Sequence, residues 1–208
     1  MEKWKIAVIL LLVTGFVGFQ WMQSSNGSSS NGSNDATASP TATPTPDPKL
    51  TKLLGTQFKP WNIPANLWMN TKKPLTLADL KGHVTLIEFF RIQCPHCEES
   101  VPMLLKIGKE MSVRGLKIIS FQSPGLLTDP ENPELSWPAV QQWAKSHGIK
   151  YPVAFDTNRK FKDQFGIEFY PLILLVDAKG RIIFAQSGHT PEKEDDLVAA
   201  LIQAMSNR

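Results

Sequence analysis

The run Leu86-Ile87-Glu88-Phe89-Phe90-Arg91-Ile92-Gln93-Cys94-Pro95-His96-Cys97 constrains this chain more than any other stretch. Apolar residues over 84–90, interrupted only by Thr85 and Glu88, predict a strand buried on both faces. A short turn follows, and then a dithiol at the start of a helix. The only two cysteines of the chain are here, two residues apart. One helical turn separates their sulfurs and puts them within disulfide reach. Cys94 falls at the helix N-terminus, where free backbone N–H groups and the helix dipole favour an anion. A thiolate is such an anion, so Cys94 is the expected nucleophile with a depressed pKa. Cys97, one turn further in and more buried, is the expected resolving thiol.

A Cys-x-x-Cys pair also serves as a zinc half-site or a structural bridge. Zinc normally takes four ligands, usually a second Cys/His pair at similar spacing, and His83, His147 and His189 are isolated along the chain. A bridge over two residues closes little chain entropy and stabilises little. Redox chemistry fits better. Pro95-His96 tunes it: a His next to the helix start, with the dipole, stabilises the Cys94 thiolate. A stabilised reduced form makes the disulfide more oxidising. Glu88 is the other unusual residue. A lone carboxylate in a buried strand is costly when ionised, so its pKa should rise; the competing reading is a Glu paired with Lys or Arg at a sheet edge.

The 208 residues suit one globular domain with additions. A net charge of +3, with both signs interspersed, gives no basic block for a nucleic-acid partner. Residues 6–22 carry no charge. With Trp4 and Trp21 as interfacial anchors and Lys3 and Lys5 ahead of the run, residues 1–22 read as a short membrane anchor, N-terminus inside. A cleaved signal peptide competes, but Phe19-Gln20-Trp21-Met22 is a poor cleavage context. Either way the rest is delivered outside the cytoplasm, where a dithiol/disulfide couple can do oxidative work. Residues 23–49 are Ser/Asn/Gly-rich, then Thr/Pro-rich, and read as a disordered tether. The folded domain is expected over 50–208.

Within it, residues 50–70 suggest a pair of short strands, and 75–82 a turn closing at Gly82. After Cys97 the helix carries Val101, Leu104, Leu105, Gly108 and Met111 on one face, with Pro102 expected to kink it. Strands are expected over 116–121, 151–155, 172–176 and 181–186, the last two as a hairpin through Asp177-Ala178-Lys179-Gly180. Ser136 caps a helix that stops at Gly148, 158–166 forms a short helix, and Thr190-Pro191 starts the last one. The order is βαβ, an αβα excursion, then ββα.

With these elements in place, the chain resembles the thioredoxin-fold TlpA/ResA-like thiol–disulfide oxidoreductases of the AhpC/TSA–Redoxin superfamily, over about residues 50–205. The resemblance rests on the strand–Cys-x-x-Cys–helix unit with Pro102 five residues after Cys97, on the insertion over 122–155, on Gly-Ile-Lys-Tyr-Pro-Val-Ala-Phe-Asp at 148–156, and on Tyr170-Pro171 ahead of an apolar strand and Asp-x-x-Gly. The sequence departs from the family pattern at Gln93 (usually Trp), His96 (usually Pro) and Ser100 (often Glu). Locally, Cys94-Pro95-His96-Cys97 looks more like the DsbA-like disulfide oxidases, though the distance to Pro171 is too short for their inserted helical domain.

The resemblance implies an α/β fold: a central mixed β-sheet flanked by helices, with an N-terminal strand extension and a helical insertion before a cis-proline hairpin. It implies that Pro171 is cis and offers the Tyr170 backbone to a substrate as an added strand. It places Glu88 under the second cysteine as general base for Cys97. The implied activity is disulfide exchange with protein thiols and disulfides through Cys94 and Cys97, with the dipeptide leaning it toward oxidation. No cofactor beyond that redox-active disulfide, no metal and no nucleic acid are expected; a membrane or soluble partner recycles the dithiol. The implied location is the cell membrane, single-pass, with the catalytic domain on the extracytoplasmic side. A reductant for cytochrome c maturation is the alternative. A peroxidase of the same superfamily would want Thr or Ser where Arg91 stands, and a copper carrier a His where Phe169 and Tyr170 stand.

Overall fold

The continuous apolar runs become the centre of a six-stranded mixed sheet in the computed structural model, which describes residues 47–125 and 131–207. The anchor expected over 1–22 and the tether up to residue 46 lie outside the described residues. No helix among the described residues is long and apolar enough to cross a membrane.

In chain order the elements are α1 (Pro48–Leu53), β1 (Trp68–Met69), β2 (Thr85–Phe90), α2 (Pro95–Met111), β3 (Lys117–Gln122), α3 (Trp137–Ser146), β4 (Val153–Phe155), α4 (Lys160–Asp163), β5 (Leu172–Val176), β6 (Ile182–Ser187) and α5 (Pro191–Ser206). The sheet order is β1-β4-β3-β2-β5-β6. Strands β2, β3 and β4 are parallel; β5 runs antiparallel to β2, and β6 antiparallel to β5. This is the mixed sheet the sequence predicted.

The expected pair of N-terminal strands is a correction. The stretch begins with the helix α1, capped by the Asp47 side chain accepting the Lys49 N–H, with Pro48 in its first turn, and around Gln57 there is only an isolated bridge to Arg181. Residues 55–58 then run along the hairpin: Gly55 N–H donates to Ile182 O at 2.8 Å and Phe58 N–H to Gly180 O at 2.8 Å. Only Trp68–Met69 forms a strand, antiparallel to β4.

Strand β2 is buried along its whole length because both faces of the sheet are covered. Alternation divides its side chains. Ile87 and Phe89 join Phe121, Leu172, Leu174 and an aromatic group of Phe58, Phe161 and Phe165 on one face. Leu86 packs on the other face with Leu104, Ile107, Ile173 and Leu175, closed off by Leu197 and Leu201 of α5. Helix α2 runs through Pro102 as one helix, with Pro102 on its exposed side. Its buried residues are Cys97, Ser100, Val101, Met103, Leu104 and Ile107, a stripe rotated from the face expected. Gly108 lets it lie close to the sheet, since a Cβ there would stand 3.3 Å from Ile118 Cδ1. The insertion between β3 and β4 supplies a short 3-10 turn (Pro133–Leu135) and α3, whose Ser136 cap accepts the Ala139 N–H.

Candidate active site

Strand β2 ends at Phe90, and four residues later Cys94 caps α2. Its carbonyl accepts the N–H groups of Cys97 (3.0 Å) and Glu98 (3.1 Å), and its Sγ accepts the Cys97 N–H at 3.3 Å. The sulfur thus takes the position a Ser or Asp oxygen takes at other helix starts. Pro95 follows in the first turn, where its missing N–H costs nothing. Cys94 keeps 8% of its surface exposed and Cys97 none, and both are free thiols.

Hydrogen bonding from the Cys97 thiol and backbone, with the positive charges of Arg91 and His96, holds the Cys94 thiol down at about 6, against the opposing effect of burial. Burial pushes Cys97 far above its ordinary range, and the thiolate beside it pushes the same way. One sulfur is ready to attack at neutral pH; the other keeps its proton until something removes it.

Glu88 stands in the middle strand of the sheet, between β3 and β5, which removes the sheet-edge reading. Its partners are hydroxyls: Ser120 donates to Oε2 at 2.6 Å, and Ser100 lies 3.2 Å from Oε1 while donating to Cys97 O at 2.7 Å. Burial raises the Glu88 carboxyl to about 7, which the two serines only partly offset. A carboxyl poised there can accept a proton near neutral pH. Ser100 stands where the family pattern often has Glu, and it ties α2 to this carboxyl.

The Tyr170–Pro171 bond is cis, as expected. Tyr170 packs against the apolar cluster of Phe90, Cys94, Cys97, Val101, Ala144, Ile149 and Val153, so the proline loop and the dithiol share one wall. Its ring also sits between two cations, Arg91 Cζ at 5.2 Å and Lys162 Nζ at 4.3 Å from the centroid. His96 is exposed and its Nδ1 meets Glu99 Oε2 at 2.9 Å. Among the charges acting on Cys94, Arg91 outweighs His96. His147 is the helix-end residue expected: it caps α3, and its Nε2 meets Glu98 Oε1 at 3.2 Å. Trp61 and Trp68 belong to the core, and Trp137 stacks on Phe155. A cavity of about 590 Å³ lies between α2 and β3, lined by Leu80, Leu105, Leu116 and Ile118 among others, and none of the dithiol residues borders it.

Three residues of this site were not singled out from sequence. Ser120 had a signal, a hydroxyl in an otherwise apolar strand. Arg91 had only its place three residues before Cys94. Glu134, which pairs with Arg91, had none.

Comparison with known proteins agrees with this geometry. The family model described as Redoxin matches residues 48–201. Protein DipZ of Mycobacterium tuberculosis is 27% identical over 144 residues, covering 67% of this chain and 19% of DipZ. Thiol-disulfide oxidoreductase ResA of Halalkalibacterium halodurans is 26% identical over 119 residues, covering 57% of this chain and 62% of ResA. The matched region therefore spans less than two thirds of either relative. A solved thiol-disulfide isomerase from Corynebacterium glutamicum superposes with a TM-score of 0.58 at 26% identity, covering 72% of this chain and 97% of that one. The fold is thioredoxin-like.

Proposed function

On the premise that the chain belongs to the Redoxin family, we propose that it is a thiol–disulfide oxidoreductase acting on protein thiols and disulfides through Cys94 and Cys97. The observation that carries this is the Cys94 sulfur at the cap of α2, accepting the Cys97 N–H with Cys97 sealed beneath it. ResA and the solved isomerase, both named for thiol–disulfide chemistry, point the same way.

In the reducing direction the Cys94 thiolate attacks one sulfur of a substrate disulfide. The substrate S–S bond breaks, a Cys94–substrate S–S bond forms, and one substrate thiolate leaves. Cys97 gives its proton to Glu88 and attacks Cys94 Sγ. The mixed disulfide breaks, the second substrate thiolate leaves, and Cys94–Cys97 remains as a disulfide. The substrate has gained two electrons and the enzyme has lost two. Oxidation of a substrate dithiol is the same path reversed.

The stabilised Cys94 thiolate favours the oxidising direction, because a stable reduced form makes a stronger oxidant. Pro171 and Tyr170 would receive the substrate chain beside Cys94, and a separate membrane or soluble partner would recycle the dithiol. No cofactor beyond the Cys94–Cys97 couple enters the scheme. The apolar run over 6–22 would hold the enzyme in the cell membrane, with its catalytic domain on the extracytoplasmic side.

The test is the redox equilibrium of the full chain against glutathione, with Cys94 followed by thiolate absorbance. A strongly oxidising couple with an acidic Cys94 supports a disulfide donor. A reducing couple with an ordinary Cys94 turns the assignment to an electron donor of the cytochrome-maturation kind. No exchange at all removes the activity. Protease digestion of intact and permeabilised cells reads the topology, and protection of the catalytic domain in permeabilised outer layers with an intact inner membrane would overturn its placement.

A further inference from the structure

Among the described residues, the segment between β3 and α3 meets the turn before the dithiol at the side chain of Arg91. Arg91 follows β2 directly, and its carbonyl accepts the Cys94 N–H at 3.3 Å, so both residues belong to one turn. Its guanidinium is gripped from the insertion. Glu134, with only 2% of its side chain exposed, brings Oε1 to 3.3 Å from Arg91 Nε, an ion pair without hydrogen-bond geometry, while its Oε2 accepts the Gly125 N–H at 2.6 Å. Gly125 completes the grip by having no side chain: a Cβ there would stand 1.9 Å from Arg91 Nη1 and 2.8 Å from Cζ. The Gly125 carbonyl is held in turn by Arg159 Nη1 at 2.9 Å. The remaining face of the guanidinium looks onto the Tyr170 ring, at 5.2 Å. Arg91 therefore joins the insertion, the turn before Cys94 and the loop of the cis proline.

We infer that Arg91 is a positioning residue through which the insertion sets the reactivity of the dithiol, its side chain held in place by Glu134 and by the bare Cα of Gly125 while its backbone forms the turn into Cys94. This deepens the thiol–disulfide reading and rests on it. A mobile lysine or arginine on the surface is largely screened by water and salt. A guanidinium pinned by a buried carboxylate, a glycine and an aromatic face keeps one position and so exerts a steady field. Among the charges that lower Cys94, Arg91 then stands ahead of His96, whose Nδ1 meets Glu99 Oε2 at 2.9 Å.

The experiment follows Cys94 thiolate absorbance against pH, and the glutathione equilibrium, in the full chain and its variants. Removing Arg91 alone would leave the Glu134 charge buried and unpaired, a costly arrangement. The main variant is therefore the pair Arg91→Gln with Glu134→Gln, and the second is Gly125→Ala, which keeps both charges but pushes the guanidinium aside. The paired variant should raise the Cys94 midpoint by about half a unit or more, cutting the thiolate fraction below that midpoint about three-fold, and should move the glutathione equilibrium toward oxidised protein. Gly125→Ala should move both in the same direction by less, and His96→Ala should move the midpoint less than the paired variant does. An unchanged midpoint and equilibrium in the paired variant would overturn the assignment. The midpoint needs no substrate: a wild-type protein that exchanges nothing with glutathione, yet whose midpoint moves with Arg91, sinks the oxidoreductase reading and leaves the role of Arg91 standing.

Discussion

Ser120 donates its hydroxyl to Glu88 at 2.6 Å from directly across the β2–β3 ladder, where the two residues are register partners. The bond is therefore set by backbone pairing and does not depend on a flexible reach. Ser100 approaches the same carboxyl from α2. The carboxyl is thus buried with hydroxyl partners and no cation, which leaves it proton-binding near neutral pH while still hydrogen-bonded.

Glu88→Gln keeps the size and hydrogen-bonding capacity of the side chain but cannot take a proton. Attack by Cys94 should persist, while resolution by Cys97 should slow by about a hundred-fold or more, in the range a general base contributes. The pH inflection of resolution near 7 should disappear. Ser120→Ala removes a donor to the charged form, so the inflection should move to higher pH. Stopped-flow mixing with a disulfide peptide reads both, and a Glu88→Gln rate that matches wild type at every pH would remove the base role.

Stability should also carry the mark of Glu88. Its native midpoint is raised by burial from the ordinary carboxylate range to about 7, so the folded state holds a proton that the unfolded chain releases. The contribution is fully present below about pH 4.5 and lost as pH rises through 7, by on the order of 3 kcal/mol in all. Urea unfolding of the disulfide form, where Cys94 does not titrate, should therefore show stability falling between pH 5 and 8. Glu88→Gln should flatten that slope; an equally steep slope in the variant would place its origin elsewhere.

The two thiols should separate cleanly on alkylation. With Cys94 near 6 and Cys97 far above the ordinary thiol range, iodoacetamide at pH 7 should label Cys94 alone in the native reduced protein, as mass spectrometry of peptides would reveal. Cys97→Ala should accumulate mixed disulfides with substrate, and Cys94→Ala should accumulate none. Labelling at comparable rates would contradict the assignment of nucleophile and resolving thiol.

Phe58 tests whether the segment before β1 belongs to the core. Its ring stacks on Phe165 at 5.4 Å and meets Phe161 edge-on at 5.9 Å. Phe58→Ala should cost about 3–5 kcal/mol with little change in the Cys94 midpoint. A loss under about 1 kcal/mol in denaturant unfolding would mean that the segment is loosely attached.

What sequence reveals here follows the range of each interaction. The strand, the dithiol and the helix start are local, and Val84 to Cys97 read correctly because burial, capping and thiol spacing all act within a few turns. The helices begun by Ser136 and Thr190 were legible for the same reason. Helix α1 was misread because six residues are too few to display a helical period, although Asp47-Pro48 is a valid start signal. The rotation of α2 is hidden because apolar residues lie on either side of Val101 and Leu104, with Met103 and Ile107 toward the core and Leu105 and Met111 half-buried, and because Cys97 and Ser100, which mark the true face, are not part of an apolar stripe. The pairing of Arg91 with Glu134 joins residues far apart along the chain, and nothing near either one announces the other. The emphasis on His96 follows from proximity; its i,i+3 neighbour Glu99 lies within the same helix and is open to sequence reading, whereas the hold on Arg91 exists only in three dimensions.

The burial of Cys97 builds in an exit. With no exposed surface, that sulfur is shielded from outside partners and has Cys94 as its neighbour. On the proposed chemistry, a partner held on Cys94 whose own second thiol does not reach the bond would still be let go by a thiol of the same domain, at a rate that also depends on the thiol it leaves with.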